Sequence, residues 1–215
     1  MSDEVEIGRG KRGRRAYTLD DIALVPSRRT RDPEDVNVGW QIDAYHVDIP
    51  LMAAPMDSVM SPETAIAFGR LGGIGVLDLD GLWTRYEDPT PILDQIAHLG
   101  EEESIATLQR VYSEPIKPSL ITARLKQLRE AGVVVAGKLS PQRVQKYWRA
   151  VVDAGVDLFI IRGSTVSAEH VSSRSEPLNL KRFIYELDVP VIVGVEGLPT
   201  EHGMSVSGCH EPSAQ

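Results

Sequence analysis

Residues 49–80 read IPLMAAPMDSVMSPETAIAFGRLGGIGVLDLD, from Ile49 to Asp80, and the order of signals in this stretch decides the fold. Pro50 opens an apolar run, Leu51 to Ala54, that is too continuous for a half-exposed strand and suits one buried on both faces of a parallel sheet. The loop Pro55-Met56-Asp57-Ser58 follows at its carboxyl end. Ser61 is placed to cap a helix beginning at Pro62, whose missing N–H is harmless there, and Glu63 sits favourably in the first turn. Gly72 and Gly73 can end that helix in a left-handed conformation, and Ile74 to Leu77 resume an apolar run. The stretch is one βαβ unit.

Outward from this unit, the same alternation continues. Upstream, Tyr17 to Pro26 (YTLDDIALVP) holds the short apolar stretch Ile22 to Val25, and Trp40 to Ile49 alternates loosely; together they predict a strand pair, or a plug over the open end of a barrel. Downstream, Gly81 to Pro118 carries four prolines and the acidic run Glu101 to Glu103, which predicts an excursion with one or two helices, one over Pro91 to His98. Ile121, Leu125 and Leu128 then fall at i, i+4, i+7, giving a helix that stops at Gly132 before a strand over Val133 to Ala136. Ser140 and Pro141 repeat the cap-plus-proline start. Val144, Trp148 and Val151 form the next stripe, Gly155 the stop, and Asp157 to Ile161 the fourth strand. A helix over Asn179 to Leu187 and a strand over Val189 to Val195 complete the alternation.

Strands alternating with amphipathic helices imply a parallel α/β sheet. A doubly wound sheet would put a glycine-rich phosphate turn after its first strand, and PMDSVM has none, whereas a (β/α)8 barrel makes no such demand and places function in the loops at the strand ends. The expectation is therefore an incomplete TIM barrel of about five parallel strands. It divides into a basic arm over 1–16, the partial barrel over 17–196, and a Gly-, Pro- and Ser-rich stretch over 197–215 that reads as an unstructured tail in place of a further helix and strand.

The totals exclude several classes. The chain has 215 residues, 42% hydrophobic and 25% charged, the balance of a soluble globular protein. No apolar run approaches the roughly 20 residues that span a bilayer, and the acidic start lacks the pattern of a signal or transit peptide. A single cysteine, Cys209, excludes an internal disulfide framework and favours a reducing cytoplasm. The net charge of −8 argues against general affinity for nucleic acid. The local basic cluster Arg9, Lys11, Arg12, Arg14 and Arg15 lacks interleaved aromatic residues and reads as a solvated, poorly ordered terminus rather than a partner-binding arm.

The strand ending in Met-Asp-Ser-Val, followed at fixed spacing by Ala-Ile-Ala and Leu-Gly-Gly-Ile-Gly-Val, resembles the first barrel strands of the IMP dehydrogenase and GMP reductase family, and YTLDDIALVP resembles the segment before them there. The likeness runs from Tyr17 to about Gly194 and is nearest to the shorter, actinobacterial IMP dehydrogenase-related subgroup, since Gly81 to Pro118 is too short for the regulatory modules inserted in larger members. The resemblance implies a purine nucleotide oxidoreductase of guanine nucleotide metabolism. IMP dehydrogenases use a cysteine to attack carbon 2 of IMP and pass hydride to NAD; GMP reductases expel ammonia while NADPH delivers hydride. It also implies a homo-oligomer, IMP or GMP as ligand, NAD or NADP as cofactor, and a monovalent cation in intact members.

By the same resemblance, Ala54, Met56 and Asp57 would contact the nucleotide, and Arg162, Gly163 and Ser164 would lie near nicotinamide. Ala54 stands where the family often has a serine, and Arg162 where an acidic residue usually meets the cofactor. The family's catalytic cysteine loop, ribose-binding aspartate, phosphate loops and cation site have no counterpart in this sequence, so no catalytic residue is assigned. The alternative expectation is a catalytically inactive partial barrel that at most binds nucleotide or self-associates.

Each candidate also has a bland reading. Met56 is open between nucleotide contact and gap-filling in the core, and Arg162 between phosphate binding and a surface ion pair. Asp57 reads as a brace for its loop rather than an acid–base group. Cys209 lies in a context, Ser-Gly-Cys-His-Glu-Pro, that predicts no structured electropositive setting, so it is not read as a nucleophile. His202, Cys209 and His210 lack the paired spacings of a zinc site, and no metal site is assigned.

Overall fold

The structure, a computed structural model, describes residues 4–6, 9–10, 12–14, 21–23, 25, 29–163 and 179–195. The predicted tail, with His202, Cys209 and His210, and Ser164 lie outside the described residues. In chain order the elements are β1 (Glu4–Glu6), β2 (Arg12–Arg14), β3 (Trp40–Ile42), β4 (Tyr45–Val47), α1 (Pro62–Arg70), β5 (Val76–Asp78), α2 (Thr90–Ala97), α3 (Glu101–Ser113), α4 (Pro118–Glu130), β6 (Ala136–Leu139), α5 (Pro141–Asp153), β7 (Leu158–Gly163), α6 (Leu180–Glu186) and β8 (Val191–Val195).

The sheet settles the winding. β5, β6, β7 and β8 form one four-stranded sheet in that order, and every pair is parallel. Each new strand joins on the same side, as in a barrel, whereas a doubly wound sheet reverses direction. A single parallel bridge, Met52 to Ile74, adds a further position beyond β5. The five expected positions are therefore present, with the first reduced to one bridge. Leu51 is 57% exposed, so the run 51–54 is not buried on both faces as its composition predicted. Among the described residues its one ladder neighbour is Ile74, and apolar character alone cannot supply a second.

Helix starts and stops follow the local chemistry. The Ser61 side chain accepts from the Thr64 N–H while the Thr64 hydroxyl accepts from the Ser61 N–H, a reciprocal capping box at the head of α1. Gly72 (φ 95), Gly132 (φ 71) and Gly155 (φ 79) follow α1, α4 and α5 in the left-handed region. The stripe Ile121, Leu125 and Leu128 on α4 is fully buried, as are Val144 and Val151 on α5. Tyr147, rather than Trp148, is the buried aromatic of α5; Trp148 sits at the edge and meets the Phe183 ring at 5.8 Å.

Two differences from expectation concern strands. β6 covers Ala136–Leu139 rather than Val133 to Ala136, because pairing starts where β5 starts, Val76 opposite Ala136. Val133 instead fills the space left by Gly69, where an added Cβ would lie 2.8 Å from the valine. The strand pair before the barrel comes wholly from the second upstream segment: β3 and β4 form an antiparallel hairpin, while Ile22 and Val25 are exposed. The basic arm, expected as a loose terminus, contains a second antiparallel hairpin, β1 with β2, whose register sets Glu4 opposite Arg14 and Glu6 opposite Arg12.

The sheet separates two apolar clusters. Leu77, Leu79, Leu139, Phe159, Ile161 and Val191 face the helices, packing against Ala65 of α1, Leu125 of α4 and Val151 of α5. Ile74, Val76, Ala136, Leu158, Ile160 and Ile192 face the other way and meet Val47, Trp40, Ile42 and Tyr45 of the β3–β4 hairpin. That hairpin is the predicted plug. Its Tyr45 hydroxyl donates to Asp157 Oδ1 at 2.9 Å, and Asp157 also accepts from the Val135 N–H at 2.9 Å and pairs with Arg129 of α4 at 2.6 Å.

Candidate functional site at the carboxyl ends of the strands

Side chains alternate along a strand, so register fixes which residues share the mouth of the sheet. Val76, Ala136, Ile160 and Ile192 belong to the plug-side cluster. Two residues further on, the same face carries Asp78, Lys138, Arg162 and Gly194, with Asp78 beside Lys138 and Arg162 beside Gly194. The inner face thus changes from apolar to charged at the strand ends, where barrel enzymes place their chemistry.

Lys138 is 9% exposed, and its Nζ lies 3.3 Å from Asp78 Oδ1 and 3.3 Å from Asp80 Oδ2. Asp80 Oδ2 also accepts from the Ser140 N–H at 2.7 Å, and Asp78 Oδ1 from the Asp80 N–H at 2.9 Å. Burial pushes the Asp78 carboxyl up to about 6, against the pull of the Lys138 charge and with repulsion from Asp80 adding to the rise. Burial alone would lower Lys138, but the two carboxylates outweigh it and hold the ammonium above its ordinary range.

Asp57 joins this cluster from the loop after residues 51–54. Its Oδ2 accepts from the Leu82 N–H at 2.8 Å and from the Tyr112 hydroxyl at 2.5 Å. Burial raises its carboxyl, while the bonds from Tyr112 and Leu82 pull the other way. Gly81 is required beside it, since a Cβ there would stand 2.2 Å from Asp57 Oδ1. The bracing expected of Asp57 is visible in these bonds. The adjoining Met56 carbonyl accepts from the Val59 and Met60 N–H groups at 2.9 and 2.8 Å, forming a tight turn. Met56 itself is 46% exposed, which sets aside the core-filling reading, and Ala54 is half-buried beside it.

Arg85 and Tyr112 close the outer side. The Arg85 Nε and Nη2 donate to the Asp80 carbonyl at 3.1 and 2.9 Å, its Nη1 donates to the Glu114 carbonyl, and its guanidinium lies 5.6 Å from the centre of the Tyr112 ring. Of the residues named from sequence, Asp57 therefore meets the charged cluster, Met56 and Ala54 flank it, and Arg162 and Gly163 lie at the end of β7, two strands from Asp78. Asp78, Asp80, Lys138 and Tyr112 were not singled out in the sequence. Lys138 inside the otherwise apolar run Val133 to Leu139 was the available signal, because a charge in a buried strand needs a partner.

A parallel, sequentially wound sheet with a charged mouth at its carboxyl ends is the architecture of part of an α/β barrel. The IMP dehydrogenase / GMP reductase domain model matches residues 16–195, and the chain belongs to that family. An uncharacterized oxidoreductase of Mycolicibacterium smegmatis and another of Mycobacterium leprae are each 47% identical over 195 residues, covering 88% of this chain and 52% of theirs. The inosine-5'-monophosphate dehydrogenase of Methanocaldococcus jannaschii is 42% identical over 64 residues, 30% of this chain and 13% of that protein. An IMP dehydrogenase/GMP reductase-like protein from Corynebacterium glutamicum superposes with a TM-score of 0.77 at 44% identity, covering 89% of this chain and 52% of the other. The chain thus spans about half the length of the actinobacterial relatives it matches. Among the described residues, no helix is long and apolar enough to cross a membrane.

Proposed function

We propose that this chain carries the nucleotide-receiving half of a purine nucleotide oxidoreductase of the IMP dehydrogenase type, converting IMP to XMP with NAD or running the GMP reductase direction, in cytoplasmic guanine nucleotide synthesis and as part of a homo-oligomer. The observation that carries the reading is the Pro55–Ser58 loop: it bears the family's Met-Asp-Ser motif, emerges at the carboxyl end of the first parallel position, and presents a half-exposed Met56 beside a braced Asp57. An exposed thioether next to buried polar groups suits the flat apolar face of a purine.

The residues also fit a nicotinamide cofactor in one respect. Gly194 lies beside the Arg162 stem, a Cβ there meeting Arg162 Cγ at 3.7 Å in ordinary van der Waals contact, so the β7–β8 mouth sets a glycine backbone against the arginine side chain. Arg162, Gly163 and Ser164 would hold the anionic part of that cofactor, which supplies hydride acceptance when bound.

The test is thermal unfolding and calorimetry of the purified chain with IMP, GMP and NAD. Binding of IMP or GMP by the folded chain raises its Tm by mass action. Absence of any shift at millimolar nucleotide overturns the reading and leaves a silent, self-associating partial barrel.

A further inference from the structure

Tyr112 stands at the last turn of α3, and 55 residues of sequence separate it from the carboxylate it touches. Nothing in the crossover from β5 to β6 demands this contact: α4 alone returns the chain to the sheet, and the paired helices α2 and α3 are additional. The end of α3 is nonetheless fastened at several points. Val111 is buried, its carbonyl accepts from the Tyr86 hydroxyl at 3.1 Å, and the Glu114 carbonyl accepts from Arg85. These bonds dock α3 onto the turn after β5. The Tyr112 hydroxyl reaches past that turn, across to the loop after the first strand position, and donates to the oxygen of Asp57 that the Leu82 N–H also occupies. One carboxylate oxygen therefore joins the Met-Asp-Ser loop, the turn after β5 and the inserted helices.

We propose that Tyr112 is a positioning residue: its hydroxyl holds the Asp57 loop in the shape that receives a nucleotide, so that this one bond sets the affinity of the loop for its ligand. The ligand half of the statement rests on the reading of Ala54, Met56 and Asp57 as nucleotide contacts; the positioning half stands on the geometry alone. The Arg85 guanidinium over the ring fixes the phenol plane, and the tight Met56–Met60 turn transmits the position of Asp57 to Met56. Without the hydroxyl, Asp57 keeps the Leu82 N–H as its partner among the described residues and can swing with the loop.

The experiment compares the full chain with Tyr112→Phe, which keeps the ring, and Tyr86→Phe, which loosens the end of α3 without touching Asp57. Amide hydrogen exchange at Met60 and Leu82, the carbon-13 carboxyl titration of Asp57, and calorimetric IMP affinity are read together. The expectation for Tyr112→Phe is roughly tenfold faster exchange at those two amides, the size of one charge-assisted hydrogen bond, in a chain that still folds and unfolds cooperatively. Asp57 then titrates at higher pH, since the phenol bond that pulled it down is gone, and IMP affinity falls about tenfold. Tyr86→Phe leaves Asp57 and IMP unchanged. Unaltered exchange and unaltered Asp57 titration in Tyr112→Phe overturn the positioning role. A loosened loop with undiminished IMP affinity overturns the coupling. A loosened loop in a chain that never binds IMP keeps the positioning role and refutes the nucleotide reading instead.

Discussion

Among the carboxyl groups, Asp78 is the one whose ionisation the fold opposes most visibly. Its carboxyl is pushed up to about 6 by burial, above the ordinary 3.8, so the folded protein holds the proton more tightly than the unfolded chain does. The stabilisation from that protonation is fully present below pH 3.8 and disappears as pH rises through about 6. Relative to Asp78→Asn, the unfolding free energy of the native chain should therefore decline across that window by on the order of 2–3 kcal/mol, measured by urea denaturation at a series of pH values. A flat difference would show that Lys138 compensates the charge completely. The loop that bears Ala54, Met56 and Asp57, and the bracing by Asp57, were legible in the sequence because a local motif carries them. Asp78, Lys138 and Tyr112 were not, because their meaning lies in partners 55 and 60 residues away that only the parallel register brings together.

Helices were more legible than strands here, for a physical reason. Caps, prolines and stripes are local, so α1, α5 and α6 begin close to where Ser61, Pro141 and Asn179 place them, and α4 carries its stripe and stops at the glycine expected to end it. A strand is defined by its neighbour, so the continuous run Leu51 to Ala54 yields one bridge, and β6 starts where Val76 requires it. The contact between α1 and β5 is tighter than either element could announce: a Cβ on Gly75 would lie 2.5 Å from the Ala65 Cα and 2.6 Å from its carbonyl oxygen. Gly75→Ala must push α1 off the sheet, and a loss of about 1–3 kcal/mol in stability is expected by chemical denaturation. A neutral result would mean that α1 can shift without breaking its packing.

The molecule as a whole is a wound sheet with helices on one side and a hairpin on the other, and Asp157 is where these parts meet. It takes a hydrogen bond from Tyr45 of the hairpin, one from the β6 backbone, and an ion pair from α4. The Tyr45 partner lies 112 residues away along the chain, the largest such separation among the described side-chain bonds, whereas the other two partners are 22 and 28 residues off. Chain-closure entropy then orders events in time: β6, β7 and α4 can assemble around Asp157 before the hairpin has anything to dock on. The expectation for the hairpin is therefore to dock late during folding and to leave early during unfolding. In stopped-flow kinetics, Tyr45→Phe should hasten unfolding about fivefold and leave the refolding rate nearly unchanged. Slowed refolding would instead place the hairpin in the nucleus. With that order, the floor of the sheet opens and closes while its charged mouth stays assembled.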